Sequence, residues 1–215
     1  MNSYFTDFPI KIEKHINYVN NIFDKAITKE GHYFTINNEI FENGVKNKQG
    51  NLYYLSSLLP DNANICEIGF NAGHSSILIL SALNTKKINF TIFDLGHHNY
   101  SILCLDYIKS IYTNANINYI EGNSIETIPE FIKNNKTPIL YDLIHIDGGH
   151  TEECIINDMK NANILIKKGG IIVIDDTHLR YIYNIIDSYI NSNEYDEIKL
   201  LELDHDTPHR IIKKK

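Results

Sequence analysis

From Asn62 almost to the C-terminus, short Ile-rich apolar runs alternate with amphipathic segments, and this alternation restricts the fold more than any other feature of the 215-residue chain. The runs Asn64 to Gly69, Lys87 to Asp94, Ile117 to Glu121, Leu140 to Asp147 and Gly170 to Asp175 are bounded by Gly, Asn or Asp and read as strands. His74 to Leu83, Ser101 to Asn114, Ser124 to Lys133 and Thr151 to Leu165 read as the intervening helices. Thr151 is placed to cap its helix, with Glu152 and Glu153 in the first turn, where the helix field favours negative charge. Strands that are apolar at nearly every position are covered on both faces, and strand–helix–strand order makes neighbouring strands parallel.

Beyond the fifth strand, Leu179 to Ile190 carries apolar residues at helical spacing. Two further strands follow, Glu197 to Leu203 and His209 to Lys213, and the link Asp204 to Pro208 is too short for a crossover helix, so they form an antiparallel hairpin. The expected fold is α/β: a single Rossmann-like domain over residues 62–215, with a mostly parallel seven-stranded sheet, a C-terminal antiparallel strand and helices on both faces. Residues 1–61 form an N-terminal helical extension or lid, with helices from Lys11 to Lys29 and from Glu42 to Leu59, the second ended by Pro60.

Composition narrows the function. The net charge is −7 and no central stretch is basic, which argues weakly against a dedicated nucleic-acid binder; Lys213, Lys214 and Lys215 read as a solvated tail. Three scattered cysteines, Cys66, Cys104 and Cys154, give no disulfide framework, and Cys66, in a strand, and Cys154, in a helix, read as small core residues rather than nucleophiles. There is no long charge-free apolar span, and the opening Met1 to Pro9 has neither a basic n-region nor an apolar h-region, so a cytoplasmic protein without membrane association is expected. The apolar face of the N-terminal helices also makes a homo-oligomer an expectation.

Two strand ends carry acids. The run Gly169 to His178 ends in Asp175 and Asp176, and Tyr141 to His150 contains Asp147 at the end of its strand. Open parallel sheets bind ligands in the crevice at the carboxyl ends of their strands. Clustered carboxylates repel one another unless a cation or a shared proton compensates, so Asp147, Asp175 and Asp176 suggest one metal site. His150, three residues beyond Asp147, is an imidazole able to take a proton at neutral pH. His205, Asp206 and His209 fall in the hairpin, away from this edge, and are not read as a second site.

The first strand leads into Glu67-Ile68-Gly69-Phe70-Asn71-Ala72-Gly73-His74-Ser75-Ser76. Asn71 replaces the middle glycine of a dinucleotide fingerprint and a serine, Ser75 or Ser76, replaces the last; the Lys-Ser/Thr ending of a P-loop is absent. The turn therefore suits a nucleoside without pyrophosphate. Asp94 ends the second strand, where an acid accepts hydrogen bonds from a ribose diol. Ser124, in Gly122-Asn123-Ser124 after the third strand, borders the adenine or caps its helix, and Glu67 pairs with a cationic group or orients the loop. A ribose, an amino group and no pyrophosphate describe S-adenosylmethionine.

The segment Glu67 to Gly73, with Asp94 downstream, resembles the first motifs of class I S-adenosylmethionine-dependent methyltransferases, and Ile146 to His150 with Ile174 to His178 resembles their metal-dependent O-methyltransferases, the macrocin and sugar hydroxyl subset above all. The resemblance implies that Asp147, Asp175 and Asp176 hold Mg²⁺. It also implies that Glu67, Gly69, Asn71, Gly73, Ser75, Asp94, Ser124 and Asp147 line the cofactor, and that His150 and Asp147 act in the reaction. Catechol-type relatives carry Asp-Asn at the last two metal positions and a lysine at the base position; here those places hold Asp176 and His150. The expected acceptor is a small hydroxylated molecule, a sugar or glycan precursor ahead of a catechol. An NAD-dependent oxidoreductase and a noncatalytic methyltransferase-like protein are the alternatives.

Overall fold

The computed structural model describes residues 8–29, 45–135, 139–200 and 209–215. Among these residues, helices α1 (Phe8–Asp24) and α2 (Val45–Ser57) precede an alternating series: β1 (Ala63–Ile68), α3 (His74–Ala82), β2 (Ile88–Asp94), α4 (Asn99–Ile111), β3 (Ala115–Glu121), α5 (Ser124–Asn134), β4 (Tyr141–Ile146), α6 (Glu152–Leu165) and β5 (Ile166–Ile174). Helix α7 (Arg180–Asn191) and strands β6 (Tyr195–Glu197) and β7 (Arg210–Lys214) complete it. The sheet order is β3-β2-β1-β4-β5-β7-β6. Among the described strands, β7 alone runs against the rest, antiparallel to both β5 and β6.

The expected Rossmann-like architecture is present, with shifts at several ends. The first hairpin strand lies at Tyr195–Glu197, earlier than expected, because Asp196 and Glu197 pair with Lys213 and Ile212; the Ile198 amide extends this with a bond to the Ile211 carbonyl. The expected segment 201–208, including His205 and Asp206, lies outside the described residues. The terminal lysines are tied down rather than loose: the Lys214 ammonium donates to the Asn163 carbonyl at 2.6 Å, and Lys215 pairs with Asp196 at 3.0 Å.

Residue parity sorts the core into two layers. Ile65, Phe90, Ile92, Leu143, Val173 and Ile211 face α1 to α4, while Cys66, Ile68, Phe93, Ile144, Ile146, Ile172 and Ile174 face α5 to α7. Helix α3 explains why the N-terminal helices sit where they do. Its Ile77, Leu78, Ile79 and Leu80 are all buried, and a helix apolar on every side needs cover on its outer face as well as from the sheet. Ile12, Ile16, Val19 and Phe23 of α1 and Leu52, Tyr53 and Leu55 of α2 supply that cover within the same core. Tyr53 is thus a core residue.

At the carboxyl edge the parallel register carries β1 past β4 with no space between them. Gly69 has φ +92°, and a Cβ there would lie 2.0 Å from the Asp147 carbonyl oxygen. Only glycine satisfies both the backbone conformation and the contact. Gly69→Ala is expected to destabilise the chain by about 3 kcal/mol or more, combining left-handed strain with a backbone clash. Urea denaturation checks this, and a loss below about 1 kcal/mol would show that the β1–β4 edge is not tightly closed.

Candidate active site

Because Leu143 and Val173 face the α1 to α4 layer, the alternation that continues through β4 and β5 carries Asp147 and Asp175 to that same side. The Asp147 amide donates to the Ile68 carbonyl and the Asp175 amide to the Ile146 carbonyl, so both acids stay in register with the sheet. Asp176 breaks it. Its φ of +54° is left-handed backbone, a strained conformation for a residue with a Cβ, and its carboxylate turns to meet His150, whose Nε2 lies 2.8 Å from Oδ2. One ligand atom from each of Asp147, His150 and Asp176 lies within 4.8 Å of the others. Asp175 is not one of that group, although it shares a partner with Asp147.

Its partner is Lys48, in the first turns of α2. The Lys48 ammonium donates to Asp147 Oδ2 at 2.9 Å and to Asp175 Oδ2, with only 19% of its side chain exposed. Burial favours the neutral form of all three groups. For Lys48 the two carboxylates outweigh it and hold the ammonium protonated. At Asp147 the Lys48 charge, aided by His145, outweighs burial and keeps the carboxyl below the ordinary range. At Asp175 burial prevails, reinforced by anionic Asp147, and the carboxyl is pushed up to about 6. Asp175 Oδ1 is buried without a hydrogen-bond partner among the described residues.

Behind Asp147 runs a fully buried polar chain. Register places Glu67 of β1 opposite His145 of β4; His145 Nδ1 donates to Glu67 Oε1 at 3.0 Å, and the Ser76 hydroxyl of α3 donates to Glu67 Oε2. His145 Nε2 lies 3.9 Å from Asp147 Oδ2. Glu67 therefore pairs inside the sheet, linking α3 to the acid cluster.

The cofactor-side residues gather around the β1–α3 turn. Asp94 accepts from the Phe70 and Asn71 amides at 2.8 and 3.0 Å through Oδ2, and from the Gly96 amide and the Tyr119 hydroxyl at 2.9 and 3.1 Å through Oδ1. Four donors occupy the four lone-pair directions of the carboxylate, which thereby braces the turn. Asn71 takes φ +51° and accepts from the Tyr100 hydroxyl at 2.5 Å; Gly73, at φ +79°, starts α3, and Ser75 lies in its first turn. The cap of α5 is Asn123, which accepts from the Ile125 amide, so capping does not fall to Ser124. The Ser124 hydroxyl faces Asp158 instead. His178 is exposed, 3.9 Å from Asp176 Oδ1, and His98 stacks on Tyr100 at 4.8 Å.

A sequence family described as a methyltransferase domain matches residues 66–177, more than half of the chain. The chain belongs to this methyltransferase family. It is 30% identical over 126 residues to caffeoyl-CoA O-methyltransferase of Medicago sativa, covering 58% of this chain, and spans about half (49%) of that relative's length. Its fold is shared with an O-methyltransferase from Bacillus cereus solved in complex with SAH, at TM-score 0.60 and 14% identity over 96% of this chain and 91% of that one. It is shared equally with CalS11, a TDP-rhamnose 3'-O-methyltransferase of calicheamicin biosynthesis, at TM-score 0.60 and 13% identity over 94% and 93%. Among the described residues, no helix is long and apolar enough to cross a membrane.

Lys48, His145 and Asp158 are the residues here that the sequence motifs did not point to, and Ser76, visible in the turn motif, gains its bond to Glu67 only in the fold. Asp158 of α6 is 1% exposed beneath Gly148, and burial pushes its carboxyl up to about 6, with Ser124 opposing. An acid whose folded-state pKa is raised favours folding when protonated, so its contribution is full below about pH 4 and is lost as pH rises through about 6. Asp158→Asn is expected to remove about 2 kcal/mol of the stability difference between pH 4.5 and 7.5, the part of a total of about 3 kcal/mol that falls in this window. Unfolding free energies at pH 4.5 and 7.5 for both proteins check it; equal pH slopes would show Asp158 to be ionised in the fold.

Proposed function

We propose that the chain is an S-adenosylmethionine-dependent O-methyltransferase acting on a hydroxyl of a small molecule, with a divalent cation, Mg²⁺, at the Asp147, Asp175 and Asp176 edge. The observation that carries this is the meeting of Asp147, His150 and Asp176 at the carboxyl edge of the sheet, beside the Gly69 turn of a methyltransferase family member. S-adenosylmethionine supplies a methyl group already activated as a sulfonium. The residues needed to bind it surround one turn: Gly69, Asn71, Gly73 and Ser75 line the β1–α3 loop, Ser124 borders the adenine and Asp94 takes the ribose. For Asp94 to accept a ribose diol, one of its present donors, such as the Tyr119 hydroxyl, has to give way.

The donor set fits a hard cation. The acids offer hard oxygens, and Asp175 Oδ1 is a buried acceptor without a hydrogen-bond partner among the described residues. Bound there, Mg²⁺ lowers the pKa of an acceptor hydroxyl and fixes its orientation. The protein's own part is the proton. Asp176 holds His150 through Nε2, which leaves Nδ1 as the atom that receives the acceptor proton. The resemblance to the macrocin and sugar hydroxyl subset places a sugar or glycan precursor ahead of a catechol as the acceptor, in keeping with the fold shared with a TDP-rhamnose 3'-O-methyltransferase.

Turnover of radiolabelled S-adenosylmethionine on a panel of hydroxylated acceptors tests the proposal. EDTA is expected to abolish methylation and added Mg²⁺ to restore it, and His150→Ala to lower kcat by about 10²-fold or more. Full activity in chelator, with Asp175→Asn and Asp176→Asn both unaffected, removes the metal from the mechanism. Calorimetry showing a preference for NAD over S-adenosylhomocysteine removes the methyltransferase reading altogether.

A further inference from the structure

The Lys48 ammonium takes up carboxylate oxygens at the edge proposed to hold the cation, and it reaches them from outside the motif-bearing strands. We propose that Lys48 is a tethered internal cation that competes with the divalent ion for Asp147 and Asp175, so that metal entry displaces its ammonium; this rests on the metal reading given above.

Three observations support it. First, the contacts are exclusive. Lys48 bonds one oxygen of each acid, Asp147 Oδ2 at 2.9 Å and Asp175 Oδ2. Asp147 Oδ2 also lies 3.9 Å from His145 Nε2, so the buried imidazole flanks this oxygen on a second side. A divalent ion on these oxygens would stand within a few ångströms of the ammonium, where like charges repel strongly.

Second, the ammonium needs the acids, and the acids need some cation. Asp147, Asp175 and Asp176 converge on one edge, and without a counter-ion two neighbouring carboxylates there resist joint ionisation. Lys48 meets that requirement for two of them. Asp176, paired with His150 instead, keeps its oxygens clear of the ammonium, and Asp147, His150 and Asp176 are left as the group from which a divalent ion can start.

Third, the competitor cannot diffuse away. Gln49 and Gly50 beside it are buried, the Asn51 amide meets His209 Nε2 at 2.8 Å, and Leu52 and Leu55 lock α2 into the core. A cation fixed to that helix acts at a constant effective concentration, whatever the salt or protein concentration. Displacement is therefore a swing of the side chain about an anchored helix.

Calorimetric titration of Mn²⁺ into the full chain tests this without reference to turnover. Lys48→Gln is expected to bind Mn²⁺ about ten-fold more tightly or better than the natural chain, while Lys48→Arg, which keeps the charge, stays within about three-fold of it. Affinity unchanged or weakened in Lys48→Gln, with Mn²⁺ still bound by the natural chain, overturns the competition and leaves the metal reading standing. No Mn²⁺ binding by either protein overturns both. A measurement on the natural chain guards against a variant that fails to fold: acetylation of Lys48 by acetic anhydride, mapped by mass spectrometry, is expected to rise several-fold when Mn²⁺ is added, whereas Lys86, bonded to the Ser57 carbonyl far from the acids in sequence, does not change. Lys48 reactivity indifferent to Mn²⁺ overturns the proposal.

Discussion

The pairing of β1 with β4 at the centre of the sheet is the constraint on which the site depends. Parallel register sets Ile68 beside Ile146 and Glu67 beside His145, and one step further it forces Gly69 against the Asp147 carbonyl. The turn that would hold a nucleoside and the acid that would hold a cation are therefore built on adjacent backbone with no side chain between them. Glu67 and His145 reinforce the junction from below, and Ser76 ties it to α3. In a buried network each member is satisfied only while the others keep their places, so the pair fixes strand register as well as the position of Asp147.

Electrostatics at this edge follows from how the fold distributes the acids. Asp147 and Asp175 point to one layer and share Lys48, while the left-handed backbone at Asp176 swings the third acid toward His150. In a regular strand Asp176 would point to the face opposite Asp175; the left-handed backbone turns its carboxylate to His150 instead, which leaves two differently partnered halves within one small volume. One half is neutralised from inside the chain. The other is held by an exposed imidazole that solvent or substrate can reach.

Much of this was legible in the residues. Five apolar runs between amphipathic segments set the parallel sheet, because a strand without a polar face has to be covered twice; Asp147, Asp175 and Asp176 were visible as acids at strand ends. What was not legible depended on cross-strand register or on distance in the chain. Glu67 and His145 are each two residues before a loop, Gly69 or Asp147, and only the register of β1 on β4 makes them partners. Lys48 lies 99 residues from Asp147 in a helix segment with little apolar pattern, and nothing local distinguishes it from Lys46. Asp94 shows the opposite limit: its place at the end of β2 was clear, but its four hydrogen bonds to the turn follow from how the loops fold back, which spacing alone does not report.

The N-terminal helices join stability to chemistry through a single requirement. An α3 that is apolar all round cannot stand exposed, so α1 and α2 must cover it, and covering it brings the start of α2 over the carboxyl edge of the sheet. Lys48 arrives at Asp147 and Asp175 as a consequence of that packing. The hydrophobic residues Leu52, Tyr53 and Leu55 thus determine where a positive charge sits some residues away, and a change that loosens α2 alters the electrostatics of the acid cluster before it alters the sheet. The cover of the core and the cationic partner of Asp147 and Asp175 are one element, so α2 is tied to the acid cluster as closely as it is to the core.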